Sequence, residues 1–125
     1  MKEYMFFIRK KNDSVESLSP YRHLKFLKSC ENYINNLKSK GQLISAQPIE
    51  YGGKVISGQN GKIINKQLRE SLDFMGGYYH ILAKDLEEAT KIAMLNPEFE
   101  YNDDTIIEVR PIKAIEQITG FVYPN

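Results

Sequence analysis

The chain has 125 residues, a length typical of one domain with a single hydrophobic core. Its 17 lysines and arginines against 16 aspartates and glutamates leave a formal net charge of +1, without the basic excess of a protein that grips a nucleic-acid backbone. The single cysteine, Cys30, excludes an internal disulfide, and no apolar run approaches the roughly 20 residues that span a bilayer. We therefore expect one cytoplasmic domain over residues 1–125, with no signal peptide, cofactor, bound nucleic acid or membrane contact.

The first part of the chain predicts a strand, a helix and a second strand. Residues 4–8 form a continuous apolar run, which favours a strand covered on both faces. The Ser-Pro pair at 19–20 supplies a cap and a first position for a helix, in which apolar residues recur at helical spacing. Gly41 can close that helix in the left-handed conformation, and residues 43–46 then predict a short strand.

The rest of the chain predicts a hairpin, a strand, a helix and a last strand. Asn60-Gly61 between two short apolar stretches is typical of a two-residue hairpin turn, so we expect a small hairpin projecting from the main sheet. Residues 78–83 predict the next strand, and Asp85 caps a helix that ends at Asn96-Pro97. Residues 105–110 predict the last strand.

The paired glycines Gly76-Gly77 invite comparison with a phosphate-binding loop. They precede a predicted strand rather than a helix, and no Lys-Ser or Lys-Thr follows them. A bulge or a tight entry into the strand is the better interpretation.

The predicted order is an α+β arrangement of the ferredoxin-like type, β-α-β-β-α-β, with an inserted hairpin. Two helices cover only one face of a four-stranded sheet, whereas the strands at 4–8 and 105–109 carry apolar side chains on both faces. We expect a homodimer in which the same sheet face of a second copy covers the remaining face. The apolar tail, residues 113–125, should dock on the domain or on the partner subunit.

Several short motifs, in this order and spacing, make the chain resemble the YCII-related (YciI-like) family in its DGPF-containing branch. They are Gly76-Gly77-Tyr78-Tyr79, Leu86-Glu87-Glu88-Ala89, Asn96-Pro97 and Glu108-Val109-Arg110-Pro111, with Lys2-Glu3-Tyr4-Met5, Gly41-Gln42-Leu43-Ile44 and Gln47-Pro48-Ile49. The resemblance covers about residues 1–112. It implies a ferredoxin-like α+β fold that pairs as a dimeric α/β barrel.

The chain departs from this family at its functional positions. Asn65-Lys66-Gln67-Leu68 stands where the branch carries Asp-Gly-Pro-Phe. In the shorter YciI-like proteins a histidine and an aspartate line an active-site cleft. By position, these fall near Cys30 and at Asn96, and neither an amide nor a thiol with a pKa of about 8.5 does the same acid-base work. We therefore lean away from an enzyme.

The two histidines are the candidate catalytic residues, because only histidine titrates near neutrality without a shift. His23, seven residues before Cys30, either replaces the family histidine or is an exposed residue of the first helical turn. His80 either contributes to a pocket between the sheet and the first helix or is hydrogen-bonded in the core. These histidines and the lone cysteine make a poor set of metal ligands, so no metal is expected.

A ligand pocket is expected between the sheet and the first helix. The residues that we expect at it are Cys30, Tyr33, Tyr79, Asn96 and Arg110. Cys30 fits a buried small hydrophobe better than a nucleophile, since it lies on the apolar stripe without an adjacent cation. Arg110 either pairs with Glu108, or with an acid across the dimer, or anchors an anionic ligand.

Two functions remain open on the sequence. The first is a dimer that binds a small molecule in that pocket, and the second is a non-enzymatic accessory module whose projecting hairpin engages another protein. The aromatic strands are also typical of RNA-recognition modules, but the near-neutral charge and the absence of a Lys/Arg-Gly-Phe/Tyr pattern argue against that function.

Overall fold

A computed structural model of the chain describes residues 1–11, 18–68 and 74–124. These residues form a mixed α+β structure with a four-stranded antiparallel sheet, a separate two-stranded sheet and two helices followed by one short helix. The elements are β1 (Lys2–Lys10), α1 (Pro20–Ser39), β2 (Leu43–Pro48), β3 (Lys54–Gln59), β4 (Lys62–Gln67), β5 (Phe74–Ala83), α2 (Leu86–Met94), α3 (Glu98–Tyr101) and β6 (Thr105–Pro111). The predicted strands and helices are confirmed, whereas the sequence pattern does not predict α3.

The four-stranded sheet has the order β2-β5-β1-β6, with all neighbours antiparallel. Side chains alternate between its two faces. On β1, Tyr4, Phe6 and Ile8 are buried, while the residues between them are only partly buried. The face that contains Phe6 is called the covered face below, because α1 and α2 pack on it.

The covered face holds the hydrophobic core. Phe6 and Ile81 have no exposed surface, and the ring of Phe6 lies 6.1 Å from that of Tyr79 on the neighbouring strand. Leu37 of α1 and Ile92 of α2 close the core from the helical side. Both helices therefore attach to the sheet through one continuous apolar layer.

The opposite face, called the open face, has no helix on it among the described residues. Apolar and charged side chains alternate along it, and the apolar ones in its centre are partly buried. Its members include Glu3, Met5, Phe7, Arg9, Ser45, Tyr78, His80, Leu82, Ile106, Glu108 and Arg110. The expected apolar second face is thus present only in part, since β1 and β6 each contribute two charged residues to it.

The predicted helix ends are confirmed by their hydrogen bonds. The Ser19 hydroxyl accepts from the backbone N–H of Arg22 at 3.2 Å, and the Asp85 carboxylate accepts from that of Glu88 at 2.9 Å. Gly41 follows α1 with a φ of 68°, the left-handed conformation that glycine adopts without strain.

The Gly76-Gly77 pair forms a β-bulge, as the sequence context favours. Ile8 pairs with Gly77 and Arg9 pairs with Met75, so that Gly76 is an extra residue in the ladder. A Cβ at Gly76 would lie 2.9 Å from Lys10 Cε. The bulge therefore leaves room for the Lys10 side chain to pass along the covered face.

Two segments project from this body. The β3–β4 hairpin turns at Asn60 and Gly61, as predicted. Both of these residues have positive φ, and most of the hairpin's side chains are exposed. Residues 112–124 form a turn closed by the bridge between Ile115 and Val122, with Ile118 93% exposed. Docking of this tail remains a prediction, and Asn125 lies outside the described residues.

No helix in the described part of the chain is both long and apolar enough to cross a bilayer.

Candidate ligand pocket

A pocket of about 170 Å³ lies between α1, the sheet and α3. Its walls are mostly apolar, and the residues that form them include Ile8, Phe26, Leu27, Ile34, Ala46 and Pro48. Cys30, Tyr79 and Glu98 also line it. This position, between the sheet and the first helix, is the one expected from the sequence.

Local sequence explains why the space is open. Phe26, Cys30 and Ile34 recur every four residues, so that they share one side of α1 and face the sheet. Opposite them, Gly76 and Gly77 present no side chain. The pocket is therefore a gap between a helix stripe and a glycine-rich bulge.

A buried ion pair lies at one end of the pocket. Lys10 Nζ and Glu98 Oε1 are 3.2 Å apart, and each side chain is only 11% exposed. Asn102 donates a hydrogen bond from Nδ2 to Glu98 Oε2 at 3.0 Å, and the Glu98 backbone N–H donates to Asn96 Oδ1 at 2.9 Å. We call these four residues, Lys10, Asn96, Glu98 and Asn102, the Lys10–Glu98 cluster.

The Asn96 amide is incompletely satisfied. Asn96 is 2% exposed, and its Nδ2 has no hydrogen-bond partner of good geometry in the described residues. The same amide lies close to the Tyr33 and Tyr79 hydroxyls, and this contact lowers the pKa of both, against the larger effect of burial. A buried polar atom without a partner is uncommon and marks a site where water or a ligand group fits.

Tyr33 and Tyr79 stack edge to face beside this amide, with ring centroids 5.6 Å apart. The Tyr33 hydroxyl donates to the Ile92 carbonyl at 2.6 Å. Burial is the main cause that raises the pKa of both tyrosines, and a nearby ionisable group adds to it. Both hydroxyls are therefore protonated and neutral at physiological pH.

Cys30 lines the pocket as a neutral thiol. Burial raises its pKa to about 11, the negative charge of Glu98 adds to the rise, and Lys10 opposes it. Because the thiolate is the nucleophile, a thiol with this pKa is unreactive near neutrality. The interpretation of Cys30 as a small hydrophobe is the one this environment favours.

The structure corrects the expected positions of His80 and Arg110, which lie on the open face and do not reach this pocket. His80 Nε2 lies 2.7 Å from Glu3 Oε1, so the histidine is hydrogen-bonded, although not in the core. Arg110 Nη1 lies 3.7 Å from Glu108 Oε1, which is the structural alternative predicted for it.

His23 lies in the first turn of α1 and is partly buried rather than fully exposed. It does not line the pocket. Of the expected pocket residues, Cys30 and Tyr79 line the cavity, while Tyr33 and Asn96 do not line it but lie next to Tyr79. The structure does not bring the two histidines together.

Sequence reasoning missed Lys10, Glu98 and Asn102. Charged residues at the end of a strand or in a short connection normally face water, and nothing in the sequence pairs positions so far apart. One signal was available for Lys10, which shares the even-numbered positions of Tyr4, Phe6 and Ile8 on β1 and therefore lies on their face.

In the part of the chain that the structure describes, no three His, Cys, Asp or Glu side chains lie close enough together to hold a metal ion.

No protein family matches the sequence in a family comparison, and no curated protein is significantly similar to it.

Proposed function

We propose that the protein is a homodimeric binding protein for a small molecule, and that its ligand occupies the pocket between the sheet and α1. We further propose that it belongs to the YCII-related family as a member without the His/Asp dyad. The observation that carries the binding function is the Lys10–Glu98 cluster at the end of an apolar pocket. A buried ion pair generally adds no stability over apolar residues of similar volume, so its presence beside a cavity favours a role in recognition.

Binding rather than catalysis is the proposed activity. Cys30 is a neutral thiol, and Asn96 does not titrate. His23 and His80 lie outside the pocket lining. The thiol, the amide and the two histidines are therefore not suited to move a proton of a molecule in the pocket, and we assign Glu98 the role of a hydrogen-bond acceptor for it.

The proposed assembly is a dimeric α/β barrel built from two ferredoxin-like protomers. The strand order β2-β5-β1-β6, with both long helices on one face, supports this proposal. The open face also carries both signs of charge, with Glu3 and Glu108 beside Arg9 and Arg110. A face that carries both signs of charge around an apolar centre is suited to a second copy of itself, since a two-fold axis can set opposite charges of the two copies against each other.

Native mass spectrometry of the purified full chain tests the binding function. We expect a small-molecule adduct that is lost in an Ala46→Leu variant, because Ala46 is a pocket wall and the added carbons occupy the space. Ala114→Leu, the same substitution at an exposed position, is the matched control and should retain the adduct. Bare protein, or an adduct that survives Ala46→Leu, contradicts the proposal.

The exposed apolar residues of the projecting segments favour a second candidate, the protein-interaction module. Ile56 and Ile63 of the hairpin are 60% and 82% exposed, which is unusual for isoleucine. A photo-crosslinking amino acid placed at position 63 tests this candidate in cells. One recurrent protein adduct supports it, whereas crosslinks to no protein, or only to a second copy of the chain, contradict it.

A further inference from the structure

The pocket also indicates the chemistry of its ligand, an inference that rests on the proposed function. A cavity of about 170 Å³ has room for a molecule the size of one aromatic ring; an engineered apolar cavity of about 150 Å³ binds benzene. Phe26, Leu27, Ile34 and Pro48 surround most of that space. The body of the ligand must therefore be apolar and small.

The charges at the end of the pocket exclude a charged ligand. Glu98 is the one ionised residue among the described pocket-lining residues, and Lys10 already neutralises it at 3.2 Å. An anion would be buried against the Glu98 carboxylate, and a cation would compete with Lys10 for it. Either arrangement leaves one buried charge without a partner, which is unfavourable. The ligand that fits carries no net charge.

The Glu98 carboxylate has room to accept a further hydrogen bond, which favours a donor group on that ligand. An ionised carboxylate offers about four lone-pair sites. Lys10 uses one oxygen, and Asn102 uses the other at 3.0 Å. Each oxygen therefore retains capacity to accept, and a hydroxyl or N–H group in the pocket can donate to it.

We infer that the pocket takes a small, uncharged, predominantly apolar molecule, about the size of one ring, that donates one hydrogen bond to Glu98. The protonated Cys30 thiol and the neutral Tyr79 hydroxyl lie along the same cavity and suit such a neutral ligand.

Four probes of nearly equal shape test this inference by titration of the full chain: benzyl alcohol, toluene, benzylamine and benzoate. Benzyl alcohol should bind about tenfold more tightly than toluene, since a hydrogen bond to a charged group contributes roughly that much. Benzylamine and benzoate should bind more weakly than toluene. A preference for either charged probe overturns the inference, and so does equal binding of toluene and benzyl alcohol.

Variants of residues inside and outside the pocket show whether the probes bind in the pocket. Glu98→Gln should reduce the preference for benzyl alcohol over toluene, because the neutral amide oxygen is a weaker acceptor than the carboxylate, whereas the control Glu108→Gln, on the open face, should keep it. Ala46→Leu provides a second variant that leaves the cluster intact, and it should weaken the binding of both neutral probes. If both probes bind equally and Ala46→Leu blocks both, the donor inference fails and the proposed function stands. If no probe binds at millimolar concentration, this ligand class is excluded, and the native mass of the purified protein decides the proposed function separately.

Discussion

Two adjacent residues of β1 show how differently the two faces of the sheet are used. Lys10 lies on the covered face and pairs with Glu98, with both side chains 11% exposed. Arg9 lies on the open face and pairs with Glu108 at 2.9 Å, with side chains 38% and 36% exposed. The same kind of ion pair is thus a component of the core on one face and a solvated surface pair on the other.

The comparison shows that the burial of an ion pair, and not the number of such pairs, decides how much the loss of one partner disturbs this protein. In the core, removal of one partner leaves a desolvated charge, and the consequences reach the pocket. On the open face, water screens the same loss.

The largest expected effect is a difference in stability between the loss of an apolar side chain on the covered face and the loss of one on the open face. Phe6→Ala should lower the free energy of unfolding by about 4 kcal/mol, because Phe6 is completely buried. Phe7→Ala, the matched change on the open face, should cost less than half of that at low protein concentration, since Phe7 is only partly buried. Urea unfolding of both variants checks this, and equal losses would remove the distinction between the faces.

The two ion pairs should differ in the same way, with a larger loss of stability when the pair on the covered face is broken than when the pair on the open face is broken. Glu98→Ala leaves Lys10 buried without its partner, so we expect a loss of about 3 kcal/mol in the free energy of unfolding. Glu108→Ala should change it by less than about 1 kcal/mol, as is typical of exposed pairs. Denaturant titration of the two variants measures both values. A Glu98→Ala protein as stable as Glu108→Ala would show that the cluster is not effectively buried.

The reactivity of Cys30 reports the environment of the pocket on the covered face. Alkylation of the folded protein by iodoacetamide at pH 8 should be at least about tenfold slower than that of the unfolded chain, since burial raises the pKa of this thiol. The rate should rise with pH towards a midpoint of about 11.

The same shift predicts a pH dependence of stability. A thiol whose pKa is higher in the folded protein contributes stability below pH 9.0, and this contribution is lost as the pH rises towards about 11. A Cys30→Ala variant should lose less stability over that interval than the unmodified chain. A reaction midpoint near 9, together with equal pH profiles, would place Cys30 in contact with solvent.

The smallest expected effect concerns the bulge that makes room for Lys10. A Cβ at Gly76 meets Lys10 Cε at 2.9 Å, so Gly76→Ala should displace the lysine and cost about 1 kcal/mol of unfolding free energy. Gly58→Ala in the hairpin is the control, since its nearest atom is 3.8 Å away. In the double variant with Glu98→Ala the losses should be less than additive, because both changes disturb the same pair. Fully additive losses of stability would show that the bulge and the Lys10–Glu98 cluster do not act on each other.

Local sequence signals were sufficient for the elements and their ends. The Ser19 and Asp85 caps, the Gly41 helix end and the Asn60-Gly61 turn are each fixed by residues close together in the chain. Such features depend on short-range hydrogen bonds and backbone conformation, which a sequence displays directly.

The site was predicted only in part, because it depends on which face each strand residue occupies. The apolar run at 4–8 shows no alternation, so the sequence alone does not assign His80 and Arg110 to the open face. The Lys10–Glu98 contact joins the end of β1 to α3, an element without a periodic signal of its own. Cys30 was found because it lies on the apolar stripe of the first helix, whereas Tyr79 was named only as a polar residue at the pocket, with no face of the sheet assigned to it.

Light scattering of the full chain at micromolar concentration gives the molar mass, which tests most directly the central claim. That claim is that helices of the same chain cover one face of the sheet and that a second copy covers the other. The account predicts twice the 14.5 kDa of one chain, and a return to the mass of one chain for Phe7→Glu, which puts a charge in the apolar centre of the open face. A mass of 14.5 kDa for the unmodified chain would contradict the assignment of that face to a second copy.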